Sequence, residues 1–144
     1  MAAKNRGICH VAKIKWFDIF ETGIPFIDDD HKRLVEILQK IEAAHERADI
    51  RGCRSAIGAF LDEAKAHFKR EEKYMQVTSY SDIAAHVKEH RKLIECVVGL
   101  LERLQPDPVT GEEPALDEGL IEDTFYLLLE DVIKADAEIK SLVA

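Results

Sequence analysis

The chain has 144 residues, of which 47% are hydrophobic and 33% are charged, a composition typical of a globular domain. Its 28 acidic and 20 basic side chains give a net charge of −8, so we expect no nucleic-acid partner, which would require clustered basic side chains. The cysteines Cys9, Cys53 and Cys96 form neither a disulfide framework nor a CxxC pair, which favours a reducing compartment. No apolar run approaches the ~20 residues of a membrane span, so we expect a cytoplasmic protein without membrane insertion.

Prolines and apolar spacing divide the chain into an arm, four helical segments and a loop. Residues 1–25 lack helical periodicity and are predicted to form a non-helical arm. Three prolines make Gln105–Pro114 a predicted loop. We therefore predict one all-α domain over residues 1–144, in which residues 26–144 form an antiparallel four-helix bundle. The predicted helices span about Asp28–Ala48, Cys53–Gln76, Ser81–Leu104 and Asp117–Val143.

Four histidines and one glutamate lie in phase with the apolar stripes of the first three predicted helices. His31 precedes Leu34 by three residues, and His67 follows Phe60 by seven, so both imidazoles are expected on buried faces. Glu71 lies one turn after His67. The full set is His31, His67, Glu71, His86 and His90.

The spacing of these five side chains favours a metal centre. His86 and His90 are four residues apart, and two imidazoles at this spacing can bind one metal ion together. Buried imidazoles and carboxylates are costly unless they are paired or bound to metal. In a bundle the five would converge, which suits iron or another first-row metal such as zinc or manganese. The alternative is that each is an independently hydrogen-bonded core residue with its own partner.

Three segments, in order, resemble the motifs of bacterial hemerythrin-like proteins. They are W-F-D-I-F-E-T-G-I-P-F-I-D-D-D-H at Trp16–His31, H-F-K-R-E-E-K-Y-M at His67–Met75 and H-V-K-E-H at His86–His90. The resemblance extends from Trp16 to about Ile139. It implies a non-haem di-iron centre in a four-helix bundle, with two iron ions, an oxo or hydroxo bridge, and O2 as a ligand.

The resemblance also implies a role for each residue of the set. His31 and His67 would hold one iron, His86 and His90 would hold the other, and Glu71 would bridge the two. The side chains expected to line the O2 pocket are Phe68, Leu128 and Val132. Glu72 is predicted to face solvent, because it points about 100° away from Glu71 on the helix.

The predicted fourth helix departs from the family pattern. Asp136 matches the usual bridging carboxylate, but Asp131 stands five residues earlier, where the family has histidine. Asp131 flanks the apolar stripe of this segment whereas Glu130 faces away from it, so Asp131 is the better candidate ligand. A carboxylate here favours Fe(III) over Fe(II), which predicts faster autoxidation than in a relative with histidine. The alternative is a degenerate site, in which Asp131 has merely drifted.

The expected function is O2 binding, for storage, delivery, or oxygen or redox sensing, at a carboxylate-altered site. We expect a binding protein rather than an enzyme. One alternative is an enzyme that activates O2 or reduces peroxide, with oxidase-like or peroxidase-like chemistry. Another is a helical interaction domain with a degenerate metal site. The sequence does not identify a signalling or redox partner.

Overall fold

The computed structural model describes residues 21–78, 82–116, 119 and 122. The regular structure in this part of the chain consists of helices, with no strand. Apart from residues 119 and 122, the predicted fourth helix lies outside the described residues, as do residues 1–20 of the predicted arm. The three helices are α1 (Pro25–Glu46), α2 (Ile50–Val77) and α3 (Ile83–Arg103).

The first turn of α1 is fixed by a proline and a buried carboxylate. Pro25 occupies the first helical position, where its missing N–H is not needed. The Asp28 carboxylate accepts hydrogen bonds from the backbone N–H and the hydroxyl of Thr22, both at 2.8 Å, and from the backbone N–H of Gly23 at 3.1 Å. Gly23 has a φ of 85°, which favours glycine. These contacts start the helix at Pro25, three residues before the predicted start.

A short turn joins α1 to α2. Asp49 is the N-cap of α2, and its carboxylate accepts a hydrogen bond from the Gly52 N–H at 2.9 Å. This cap starts the helix at Ile50 rather than at the predicted Cys53, because the turn supplies its own acceptor for an N–H that has no partner within the helix. The short connection makes α1 and α2 antiparallel neighbours.

Contacts between the helices establish that α1, α2 and α3 are antiparallel, as predicted. Near the beginning of α1, Arg33 donates to Glu63 at 3.0 Å, whereas near the end of α1 the Ile41 carbonyl accepts from the Cys53 thiol at 3.9 Å. The beginning of α2 likewise contacts the end of α3, since Arg54 donates to the Leu104 carbonyl at 2.8 Å. The fourth helix and the complete bundle stay predictions.

The buried side chains fall into an apolar cluster and a polar layer. The polar layer comprises Asp30, His31, His67, Glu71, His86 and His90. Beyond it, Ile24, Ile27 and Met75 form a smaller apolar group. The apolar cluster comprises Leu34, Val35, Leu38, Ile41, Ile57, Phe60, Ala64, Phe68, Leu93, Val97, Leu100 and Leu104. No helix among the described residues is long and apolar enough to cross a membrane.

The segment after α3 is a loop, as its prolines predict. Arg54 donates two hydrogen bonds to the Glu113 carboxylate, from Nη1 at 2.8 Å and from Nη2 at 3.1 Å. Its Nη1 also donates to the Leu104 carbonyl. Arg51 adds a contact to Glu113 at 3.2 Å. The hydrogen bond from Arg54 holds the pKa of Glu113 below its ordinary value. This clamp fixes the loop at the end of the bundle farthest from the polar layer.

Candidate metal centre

The structure brings together five of the seven predicted metal ligands. Two groups of donor atoms form, His31 with His67 and Glu71, and Glu71 with His86 and His90, each within 4.8 Å. Exposure is 0% for His31, His67 and Glu71, 6% for His86 and 5% for His90. Imidazoles from three helices thus face one carboxylate in a space largely closed to water.

Glu71 lies between the two histidine groups. Its Oε2 atom is 3.1 Å from His67 Nε2, and its Oε1 atom is 3.1 Å from His86 Nε2. Oε1 is also 3.0 Å from His90 Nε2. On the other side, the rings of His31 and His67 meet edge to face with centroids 4.9 Å apart. The two oxygens of the Glu71 carboxylate therefore contact different histidine groups, Oε2 on one side and Oε1 on the other.

The donor set fits two first-row metal ions. Two ligands at right angles, each about 2.1 Å from a metal, are separated by about 3.0 Å. The contacts of Glu71 with His67, His86 and His90 have this length, 3.0 to 3.1 Å. Imidazole nitrogen and carboxylate oxygen suit iron, zinc or manganese. The remaining predicted ligands, Asp131 and Asp136, lie outside the described residues.

A buried carboxylate on α1 orients His67. Asp30 Oδ2 is 2.9 Å from His67 Nδ1, and both Asp30 oxygens accept from Arg70 at 2.9 Å. Arg33 also pairs with Asp30. Burial alone raises the pKa of Asp30, but hydrogen bonds from Arg70 and His67 outweigh it and hold that pKa below its ordinary value. An ionised carboxylate only accepts, so His67 Nδ1 donates and Nε2 is left to face Glu71.

A second carboxylate contacts His90, and here the sequence-based prediction was wrong. Glu72 Oε2 lies 2.8 Å from His90 Nδ1, although Glu72 was expected to face solvent. The angular position of Glu72 on α2 does point away from Glu71, but its long side chain reaches across to α3. Asp30 and Glu72 were both missed as partners of the histidines. Both are acidic residues directly beside a predicted ligand, as in D-D-D-H and E-E, but so is the exposed Glu89, so adjacency in sequence does not by itself identify such partners.

Phe68 lies against two of the histidines. Its ring stacks on the His90 ring with centroids 3.9 Å apart and an interplanar angle of 8°, and its centroid is 5.6 Å from that of His67. Its role in an O2 pocket stays a prediction. The other predicted pocket residues, Leu128 and Val132, lie outside the described residues.

Comparison with known proteins points to one family. The hemerythrin HHE cation binding domain matches residues 22–137, a range that includes Asp131 and Asp136. A bacteriohemerythrin of Methylococcus capsulatus is 42% identical over 79 residues, covering 52% of this chain and 57% of the relative. A bacteriohemerythrin of Pseudomonas aeruginosa is 31% identical over 103 residues, covering 72% of this chain and 67% of the relative. A myohemerythrin of Theromyzon tessulatum is 26% identical over 86 residues, covering 60% of this chain and 67% of the relative.

Proposed function

The chain belongs to the hemerythrin HHE cation-binding domain family, and on that premise we propose that it is a non-haem di-iron protein that binds O2. The biological role is storage, delivery, or oxygen or redox sensing. The observation that carries the proposal is the position of Glu71, whose two carboxylate oxygens face two separate histidine groups at 3.0 to 3.1 Å. A separate histidine group facing each oxygen of one buried carboxylate supports a bridging role between two cations.

Each described side chain of the site has a task in this function. His31 and His67 would hold one iron together with Glu71, and His86 and His90 would hold the other, also with Glu71. Iron bound there supplies reversible O2 binding through its change between Fe(II) and Fe(III). The burial of all five ligands excludes bulk water, and the predicted fourth helix completes the bundle around them.

The carboxylates of the fourth helix complete the ligand set. Asp136 would be the second bridging carboxylate, and Asp131 would give the iron at His86 and His90 a ligand set of two imidazoles and one carboxylate. A carboxylate in place of a neutral imidazole adds negative charge, which favours Fe(III) and lowers the reduction potential. This charge moves the balance from simple carriage towards redox sensing.

The residue at position 131 also supports a second candidate function. Two histidines and one carboxylate form the ligand set of non-haem Fe(II) oxygenases. With Asp131 in this role, the alternative is an enzyme that activates O2 or reduces peroxide. Catalytic turnover of peroxide by the iron-loaded protein favours this alternative, and stable reversible O2 binding favours the carrier or sensor.

An optical titration tests the proposal. Protein loaded with Fe(II) under anaerobic conditions is exposed to increasing O2 and then flushed with argon. A visible absorption band that develops with O2 and fades under argon is the expected result. Prompt irreversible conversion to a diferric spectrum favours the enzyme, and failure to take up iron contradicts the proposal and favours the interaction domain.

The chain offers a matched pair of histidine variants for this titration. His31→Ala removes a predicted ligand, whereas His45→Ala removes an imidazole from the last turn of the same helix, outside the site. We expect the O2-dependent band to be lost in the first variant and retained in the second. Loss in both variants would point to general unfolding.

A further inference from the structure

The two histidines that contact outer carboxylates are supported in different ways. The Asp30 carboxylate on His67 is almost fully buried and is paired with Arg33 and Arg70. The Glu72 carboxylate on His90 has 29% of its side chain exposed, and within the described part of the chain its one recorded partner is His90. The negative charge behind His67 is thus compensated by two guanidinium groups, whereas no arginine or lysine of the described residues pairs with the carboxylate behind His90.

This difference in charge has a consequence for the metal-facing nitrogens. A carboxylate that accepts from Nδ1–H fixes the ring orientation and makes Nε2 a stronger donor to a metal. Arginine partners draw the carboxylate charge towards themselves, which weakens that effect. The Glu72 oxygen lies 2.8 Å from His90 Nδ1, so the two groups are in direct hydrogen-bond contact with no room for a bridging water.

The packing around His90 strengthens the argument. Phe68 covers one face of the His90 ring at a centroid distance of 3.9 Å, and the ring is nearly perpendicular to that of His86, at 84°. The ring plane is therefore held by packing. Because packing already restrains the ring plane, the contribution that distinguishes Glu72 is the charge that it adds behind Nδ1.

We propose that Glu72 is a positioning residue that tightens metal binding at the His86–His90 position through its charge, which makes the two metal positions unequal. Asp30, in contrast, orients His67 and ties α1 to α2 through its arginines. The inference rests on the proposed two-metal site. In this inference, the metal affinity of the His86–His90 position depends on a side chain that does not bind metal itself.

Zinc titration of metal-free protein tests the inference with a redox-inert, diamagnetic probe. Glu72→Gln keeps an oxygen acceptor but removes the charge, and we expect it to weaken one of two Zn(II) equivalents by roughly tenfold, within the range typical of outer partners of metal-bound histidines. Glu89→Gln is the matched control, because Glu89 adjoins His90 in sequence but is exposed and pairs with Lys92 at 3.6 Å. This control is expected to bind both equivalents like the wild type.

Proton NMR of the zinc-loaded proteins supplies a readout that a purely structural role would not move. We expect the hydrogen-bonded Nδ1 proton of His90 to shift upfield in Glu72→Gln and the corresponding proton of His67 to stay unchanged. Far-UV circular dichroism checks that each variant is folded, and Glu72→Ala, which removes charge and acceptor together, is expected to weaken the same equivalent further.

Iron uptake by the wild type, measured in parallel without oxygen, distinguishes failure of the proposed di-iron function from failure of the role assigned to Glu72. Uptake of fewer than two Fe(II) per chain overturns the proposed function and the inference with it. Uptake of two Fe(II), with Glu72→Gln binding zinc as tightly as Glu89→Gln, overturns the inference alone. Equal weakening of both zinc equivalents also overturns it, because the effect is expected at one position.

Discussion

The apolar cluster and the polar layer lie on the same three helices, but burial of their side chains has opposite effects on the stability of the fold. Side chains such as Leu38 and Phe60 are withdrawn from water in the cluster, and each such burial contributes about 1.5–3 kcal/mol. In the polar layer, burial of imidazoles and a carboxylate costs free energy unless they are paired or bound to metal. The apolar cluster therefore drives folding, whereas burial of the polar layer becomes favourable only through pairing or, on the proposed function, through metal binding.

The largest expected effect is a loss of folding stability in the apolar cluster that leaves metal binding in the polar layer unchanged. Leu38→Ala leaves a cavity in the apolar cluster and is expected to lower the free energy of unfolding by about 2–5 kcal/mol. Because Leu38 lies outside the polar layer, the folded variant should still bind metal with wild-type stoichiometry. Urea denaturation and metal analysis of the folded fraction test the pair of expectations. Loss of metal from folded Leu38→Ala would show that the two regions are not separable.

The second expectation concerns metal as a stabiliser of the polar layer. Metal that binds only the folded state adds about 2.7 kcal/mol at a free concentration of 100 times Kd. Thermal unfolding with and without zinc should show this gain as a rise in Tm. His31→Ala removes a ligand of only one of the two positions, so it should reduce the rise, whereas His45→Ala should retain it in full. A rise that is undiminished in His31→Ala would place the stabilising metal elsewhere.

The network of Asp30 lies at the edge of the polar layer and should show an intermediate effect. Asp30→Asn removes the charge that pairs with Arg33 and Arg70, and we expect destabilisation of the metal-free protein by about 1–3 kcal/mol. Asp29→Asn, at the exposed neighbouring position, is the control and should leave the unfolding free energy nearly unchanged. Chemical denaturation measures both. Equal stabilities for the two variants would mean that the buried ion pairs do not hold α1 to α2.

A kinetic effect is expected at the fourth-helix carboxylate. Asp131→His replaces a negative charge with a neutral ligand, which should favour Fe(II) and lengthen the autoxidation half-life, by roughly tenfold on the scale of ligand and partner changes at metal sites. The decay of the O2-dependent absorption band measures the half-life. Equal half-lives in the variant and the wild type would contradict a ligand role for Asp131.

The smallest effect is expected at the loop clamp, beyond the apolar cluster. The pKa of Glu113 is lowered, chiefly by its hydrogen bond to Arg54, so the clamp stabilises the fold above the unfolded-state pKa of about 4.5 and is lost as the pH falls through the folded-state value. The stability difference between wild type and Glu113→Gln should therefore be present at pH 7 and vanish at lower pH. Glu112→Gln, at an exposed position, should match the wild type throughout. A difference that persists unchanged in acid would mean that the ion pair is not its cause.

Helical periodicity predicted the polar layer well, because the position of a side chain on its own helix follows from spacing alone. His31 and His90 fall in phase with their apolar stripes, and both are buried. Glu72 could not be placed in this way, because its contact depends on the register between α2 and α3 and on the length of its side chain. The same limit applies to the contacts of Asp30 with His67 and Arg70, which lie on α2.

The ends of the helices were predicted less closely than their faces. α1 begins three residues before its predicted start because Asp28 binds the preceding backbone, a contact that apolar spacing does not encode. α2 begins three residues early because Asp49 caps it. Such caps depend on single side chains and local backbone angles. The predicted fourth helix and the arm lie largely outside the described residues, so their prediction stays open.

The most direct test of the account is the iron content of Glu71→Gln after anaerobic Fe(II) titration, beside wild type and the control Glu63→Gln. Glu63 lies on the same helix two turns earlier and pairs with Arg33 instead of facing the histidines. If Glu71 serves both metals, wild type and control bind two irons per chain and Glu71→Gln is weakened at both positions. Two irons bound as tightly in Glu71→Gln as in wild type, or the loss of one iron with the other unchanged, would contradict the shared carboxylate.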